Sequence, residues 1–458
     1  MRLPLESLMY DLPEDILKTK LSGDLKGALQ LINHRLNKEN ISSMMRERLL
    51  VERHLIEMLP KRFPYNRQQA LEIMKARVRD FTEEEFDKME LDGCMDFYYI
   101  DGEKRYVRSF AGTLVRMDQN LWDRQYEDDE KEENLRLKDA LNEMREKGEL
   151  AYRYKIKKTL KIDDDKFIPG ETYLCHLPIP AKSAQQAEDK IIIEADADGF
   201  ITPANEHHRT VSYKRTLEKN EAFSVTFTFE NRVKYVRPFE DKPFIAYENV
   251  PAPTEDDLSE LLPHIAFTPY LKKLAKEIAG DETDKLKLAR KVYDYVTMNV
   301  RYSFMRSYIL VERHAEYPAL NHKGDCGIQA ILLITLLRIL GIPARWQSGL
   351  TTDPKSTGNH DWAQFYTEEF GWLFADPSFG GSAYRSGNKE KWDFYFGNLD
   401  PFRMIANDRY FTRLNPEKKF ERYDPYDNQD GEIECGLRGF DSYEYDSDSE
   451  TMLFEKID

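Results

Sequence analysis

Cys326 stands at the mouth of the stretch with the most chemical potential in this chain, GDCGIQAILLITLLRILGIPARW, Gly324 to Trp346. Residues 328–340 are apolar almost throughout, Gln329, Thr335 and Arg338 excepted. A run that long predicts a buried helix rather than a strand. Gly341 fits the left-handed position just past a helix end, and Pro343 cannot continue the helix. Cys326 then falls at the helix N-terminus, where unpaired N–H groups and the dipole favour the thiolate. A thiolate is a nucleophile. A lone cysteine, however, is more often a small buried hydrophobe, so the assignment needs partners.

Two further residues supply them. In GNHDWAQFYTEEFGWLFADPSFG, Gly358 to Gly380, aromatic-rich alternating runs at 360–366 and 372–376 flank a turn at Glu368–Gly371. That pattern predicts an antiparallel hairpin. Symmetric pairing about Glu368 sets His360 opposite Asp376, Trp362 opposite Phe374 and Gln364 opposite Trp372, all on one face, with facing Cβ atoms about 4.5–5.5 Å apart. A carboxylate so placed fixes the imidazole tautomer and leaves the other ring nitrogen for a thiol. A one-residue slip would undo the arrangement.

The order Cys, His, Asp, carried by Gly324 and Cys326, Gly341-Ile342-Pro343-Ala344-Arg345, His360 with Trp362, Gly371-Trp372 and Asp376-Pro377, resembles the transglutaminase-like superfamily of papain-type cysteine enzymes. The resemblance covers roughly residues 255–412. It implies Cys326 as nucleophile, His360 as general acid–base and Asp376 as its orienting partner. It also implies acyl transfer from an amide through a thioester. With water as second nucleophile the product is that of a peptidase or amidase; with a lysine amine it is a cross-link. Hydrolysis of peptide or isopeptide bonds is the expectation. Protein-glutamine amine transfer is the alternative, a non-catalytic scaffold another, and peptide:glycan amidase chemistry stands behind them. An upstream polar group often completes the oxyanion hole in such enzymes; Tyr302, His322 and Asp325 are near in sequence, and nothing chooses among them. Trp346 and Trp362 either wall an acyl cleft or belong to the core.

These residues need elements to hold them, and 458 residues suffice for several domains. Residues 1–149 read as mainly helical. Leu25, Leu29, Ile32 and Leu36 share a helical face, and Met45 to Met58 continue in that style before Pro60 and Pro64 break the connection. The class of 91–123 is open, and the charged run Asp128–Lys147 carries Leu137, Leu141 and Met144 on one face, with Gly148 as cap. From 150 to 252 the period is two. Tyr154, Ile156, Leu160 and Ile162 alternate with an interruption at Lys158, Phe223–Phe229 alternate cleanly, and 173–179 and 190–195 add shorter strands. They suggest a β-sandwich of immunoglobulin-like class, a module that bacterial relatives of the resembled superfamily often carry before the catalytic core. VPAPTEDD (250–257) reads as a linker into the α+β catalytic domain, 253–412, in whose second helix Leu288, Val292 and Val296 line one face and Asp281 or Thr283 caps the start. An acidic extension, 413–458, is expected to be either disordered or an edge strand.

Composition bounds the rest. The chain is 41% hydrophobic and 33% charged with net charge −16, which argues against nucleic acid or an anionic membrane as partner. No apolar run has transmembrane length. The N-terminus lacks a secretory h-region, and Cys94, Cys175, Cys326 and Cys435 have neither disulfide-framework nor metal spacing, so a cytoplasmic chain is expected. Cys175-His176 and His207-His208 lack the further ligands that a structural zinc needs, so no metal or other cofactor is expected. Around Gly431 the acidic tail also fails the calcium-loop pattern, with Tyr426 and Leu437 at ligand positions. The expected partner is a protein or peptide substrate. The oligomeric state is open.

Overall fold

The computed structural model describes residues 4–126, 131–248 and 250–457; positions 128–130 of the charged run lie outside them. Before residue 150 the elements are mostly helical. The apolar stripe from Leu25 forms the helix Leu25–Leu36, and the next helix, Ser43–Arg62, runs through Pro60 in its last turn. Pro60 does not break the helix where the sequence led us to expect. The open segment 91–123 resolves into a hairpin, Phe97–Ile100 with Glu103–Tyr106, followed by two short helices.

Two four-stranded sheets follow from the period-two region. One contains Glu149–Ile162, Ile192–Glu194 and Phe223–Lys234; the other contains Thr172–Pro178, Phe200–Ile201 and Thr210–Thr216. Phe223–Lys234 alternates buried and half-buried residues along its whole length. The strand from Glu149 is not interrupted at Lys158, whose side chain is buried and whose pKa is lowered by burial. The polar residue that seemed to break the pattern is a core position.

The segment after 412 completes both sheets. Tyr445–Ile457 pairs antiparallel along Glu149–Ile162, and Glu432–Glu434 pairs with Thr172–Pro178. Of the two expectations for the tail, the edge strand is the one observed. Leu350, Met404 and Ala406 of the catalytic sheet share the apolar core of these strands.

The catalytic region is built on a five-stranded sheet with Thr357–Thr367 at its centre, between Ala344–Thr352 and Gly371–Ala375, and with Phe396–Gly397 and Arg403–Asn407 at the edges. The helix Cys326–Ile339 packs beside it and is buried around nearly its whole circumference, as its uniformly apolar sequence requires. The preceding helix, Lys285–Asn299, is capped by Asp284, which accepts from the Lys287 N–H, and not by Asp281 or Thr283. Among the described residues no helix is long and apolar enough to cross a membrane.

Candidate functional site

Cys326 begins its helix, and Asp325 caps it by accepting the backbone N–H of Ile328 at 3.1 Å. Gly341 closes the other end with φ +70°, the left-handed conformation read from the sequence. At Gly327 a side chain would collide with the Tyr308 hydroxyl, the Asp361 carboxylate and the Trp346 ring, so these groups converge on the helix start.

The hairpin forms, but its register differs from the symmetric pairing. Gln364 lies opposite Phe374 and Tyr366 opposite Trp372, a displacement of two residues. Gly371, at φ +71°, sits where the return strand begins, so the reversal is centred later than Glu368. A two-residue shift preserves the face of each side chain, where a shift of one would have inverted it. His360 and Asp376 therefore still meet, diagonally rather than directly opposed, and His360 Nε2 and Asp376 Oδ2 share a hydrogen bond of 2.8 Å. Asp376 ends the strand as the N-cap of the next helix, accepting from the Phe379 N–H at 2.9 Å.

Arg403 was not anticipated. Fully buried, its guanidinium donates to Asp376 Oδ2 at 3.0 Å and to Asp400 Oδ2 at 2.5 Å. Burial raises the Asp376 pKa, but His360 and Arg403 outweigh it and hold the carboxyl below its ordinary value. Burial lowers the His360 pKa more than Asp376 raises it, so the imidazole is neutral near pH 7.

The thiol is less simple. The Cys326 side chain donates to Asp361 Oδ2 at 3.3 Å, and no hydrogen bond joins it to His360 among the described residues. Its pKa lies well above the usual thiol value, first through burial and then through Asp361 and Asp325. The expectation of a thiolate favoured by the helix dipole is thus corrected: desolvation and two carboxyl groups dominate the helix terminus. Asp361 is itself pushed up to about 8 by burial and by Asp325, and burial pushes Asp325 to about 6. Asp361 escaped the sequence reading because only same-face neighbours of His360 were weighed. Consecutive strand residues leave on opposite sides, and the helix N-terminus lies where Asp361 can reach it.

The three residues considered as oxyanion partners separate. The Asp325 carboxylate is occupied by Ile328 N–H and by the Tyr308 hydroxyl, which donates at 2.5 Å. His322 is exposed in left-handed backbone. Tyr302 lies in the electrostatic field of Cys326 and Asp325, which together with burial raise its pKa. Trp346 and Trp362 are core residues; the Trp362 indole donates to Gln347 at 2.8 Å. Cys175 and His176 are enclosed in a sandwich strand, and His207 pairs with Asp408.

Residues Asp424–Asp430 close over this centre. Gln429 Nε2 donates to the His360 carbonyl at 3.0 Å and to Asp361 Oδ1 at 2.7 Å, and Asn359 donates to Asp430 at 2.8 Å. Cys326 retains 8% of its surface.

Comparison with known proteins agrees with this arrangement. Residues 272–377 match the family model described as the transglutaminase-like superfamily. A candidate cysteine protease from Cytophaga hutchinsonii is 16% identical, with TM-score 0.41, covering 68% of this chain and 91% of its own. The periplasmic domain of TgpA from Pseudomonas aeruginosa is 13% identical, with TM-score 0.28, covering 55% and 94%. No match is found among curated proteins. The stretch that holds the cysteine helix and the His–Asp hairpin therefore belongs, over residues 272–377, to the transglutaminase-like superfamily.

Proposed function

We propose that the chain is a cysteine-dependent acyl-transfer enzyme that hydrolyses peptide or isopeptide bonds through a thioester on Cys326. The observation that carries this reading is the buried 2.8 Å bond between His360 and Asp376, held by Arg403 in the same sheet that receives the cysteine helix. Asp376 fixes the proton on Nε2 and leaves Nδ1 as the basic nitrogen, the tautomer a general base requires. Neutral His360 and neutral Cys326 form the resting pair, so attack and proton removal occur together rather than from a standing thiolate. Water or an amine then discharges the acyl-enzyme.

The enclosure of Cys326 favours amine transfer as a second reading, because limited water access spares the thioester for another nucleophile. The immunoglobulin-like module and the N-terminal helices serve, in this proposal, to present a protein or peptide substrate. The test is acyl-enzyme trapping with a panel of peptide amides, followed by intact mass, on wild type, Cys326→Ala and His360→Ala. A single acyl adduct on Cys326, absent in the first variant and formed about 100-fold or more slowly in the second, is the expected result. Adding a lysine analogue separates hydrolysis from transfer. No adduct from any amide would leave the scaffold reading.

A further inference from the structure

Resting on the reading of Cys326 as nucleophile, we propose that Asp361, rather than His360, is the group that takes the thiol proton, and so is a catalytic residue of the acylation half-reaction. Asp361 Oδ2 accepts the Cys326 S–H at 3.3 Å, and its Oδ1 is held by Gln429 at 2.7 Å. The same oxygen crowds the space above Gly327, so the carboxylate is aimed at the first turn of the cysteine helix. His360 makes its side-chain hydrogen bond to Asp376 instead.

The proton balance is complete without any added reagent. As sulfur attacks the amide carbon, the S–H proton moves to Asp361 Oδ2 and the S–C bond forms. When the C–N bond breaks, the protonated Asp361 returns that proton to the leaving nitrogen, giving a thioester and a free amine. His360, neutral and oriented by Asp376, then serves the second half by taking a proton from water or from an acceptor amine. An ordinary carboxylate is too weak a base for a thiol, but this one is lifted to about 8 by its surroundings, near the working range of a general base.

Several groups set that surrounding. Asp325 and Cys326 face Asp361 from the helix start, and Asp427 and Asp424 approach from the C-terminal segment. Tyr308 and Tyr302 each interact with both Asp361 and Cys326, and Tyr410 interacts with Asp361. Most are acids or phenols, so the site raises the basicity of Asp361 from several sides at once.

The experiment uses p-nitrophenyl acetate as acyl donor on the full chain, with acetyl-Cys326 read by mass and the thiolate followed separately by its ultraviolet absorbance. In wild type, acetylation should rise through a step near pH 8 while the thiolate absorbance is still absent. Asp361→Asn should remove that step and slow acetylation at pH 8.5 by about 100-fold, with His360→Ala retaining the step. Acetylation that tracks thiolate absorbance in wild type would overturn the proposal without any variant, as would Asp361→Asn reacting as fast as wild type or faster. A step abolished by His360→Ala and kept in Asp361→Asn would return the role to His360. If Cys326 is not acetylated at all while other residues are, the nucleophile reading itself fails, and this inference with it.

Discussion

At the scale of single residues the centre is a set of charges taken out of water and paired with care. Arg403 joins Asp376 and Asp400, all three essentially without solvent. A guanidinium in that position is fixed in shape and permanently charged, so it can hold two carboxylates at once while His360 remains neutral. Replacing Arg403 by Met would leave two buried carboxylates without their cation. Unfolding by urea should show a loss of about 3–5 kcal/mol, the penalty of breaking a buried ion pair from one side. The histidine would also change, since Arg403 lowers the His360 pKa. Its titration, followed by NMR, should move upward in any Arg403 variant that still folds.

Elements decide how these residues meet. The cysteine helix depends on Asp325 at its first turn, where one carboxylate accepts a backbone N–H and the Tyr308 hydroxyl. Asp325→Ala should cost about 1 kcal/mol through the lost cap. The same change removes one of the groups that raise the Cys326 pKa, so its thiolate should appear at lower pH in an ultraviolet titration. Stability and thiol acidity thus move in linked directions, and a variant that loses stability with no change in the thiol would show that Asp325 acts only as a cap. The hairpin teaches a related point about strands. Its turn lies later than the symmetric pairing supposed, yet the pairing moved by two residues and the His–Asp contact survived because strand faces repeat every second residue.

For the whole molecule, the buried acids predict a pH optimum. Asp361 is raised to about 8, and Asp424 and Asp427 well above their ordinary values, each first by burial. A carboxyl whose folded pKa is raised binds more protons folded than unfolded, so stability is greatest below its unfolded value and falls as pH rises through the folded one. For Asp361 that window runs from about pH 4 to about pH 8. Buried histidines oppose it on the acid side: His176 and His314 are lowered to about 3, and His208 and His264 well below normal, each mainly by burial. Their penalty is gone above the unfolded histidine value of about 6.5. Melting temperature should therefore peak near pH 6.5 and decline toward pH 8.5. The decline should be shallower in Asp427→Asn, which keeps hydrogen-bonding capacity without the ionisation; an unchanged slope would remove Asp427 from the account.

What the sequence by itself determined is local and periodic. The apolar run after Cys326 could only be a buried helix, Gly341 could end it, and the alternation around His360 and Asp376 kept both on one face whatever the exact turn. Those features follow from backbone geometry that repeats every few residues. Lys158 shows the limit even there, because a polar residue in a strand pattern is a break or a buried partner depending on what packs against it. The tertiary structure alone decided the rest. Arg403 reaches Asp376 from another strand, Gln429 reaches Asp361 from the C-terminal segment, and Tyr445–Ile457 crosses the chain to pair with Glu149–Ile162. It also decided the charge state of the thiol. A helix terminus is visible in sequence and favours the thiolate, whereas the desolvation and the neighbouring carboxyl groups that outweigh it exist only once distant segments have closed around Cys326.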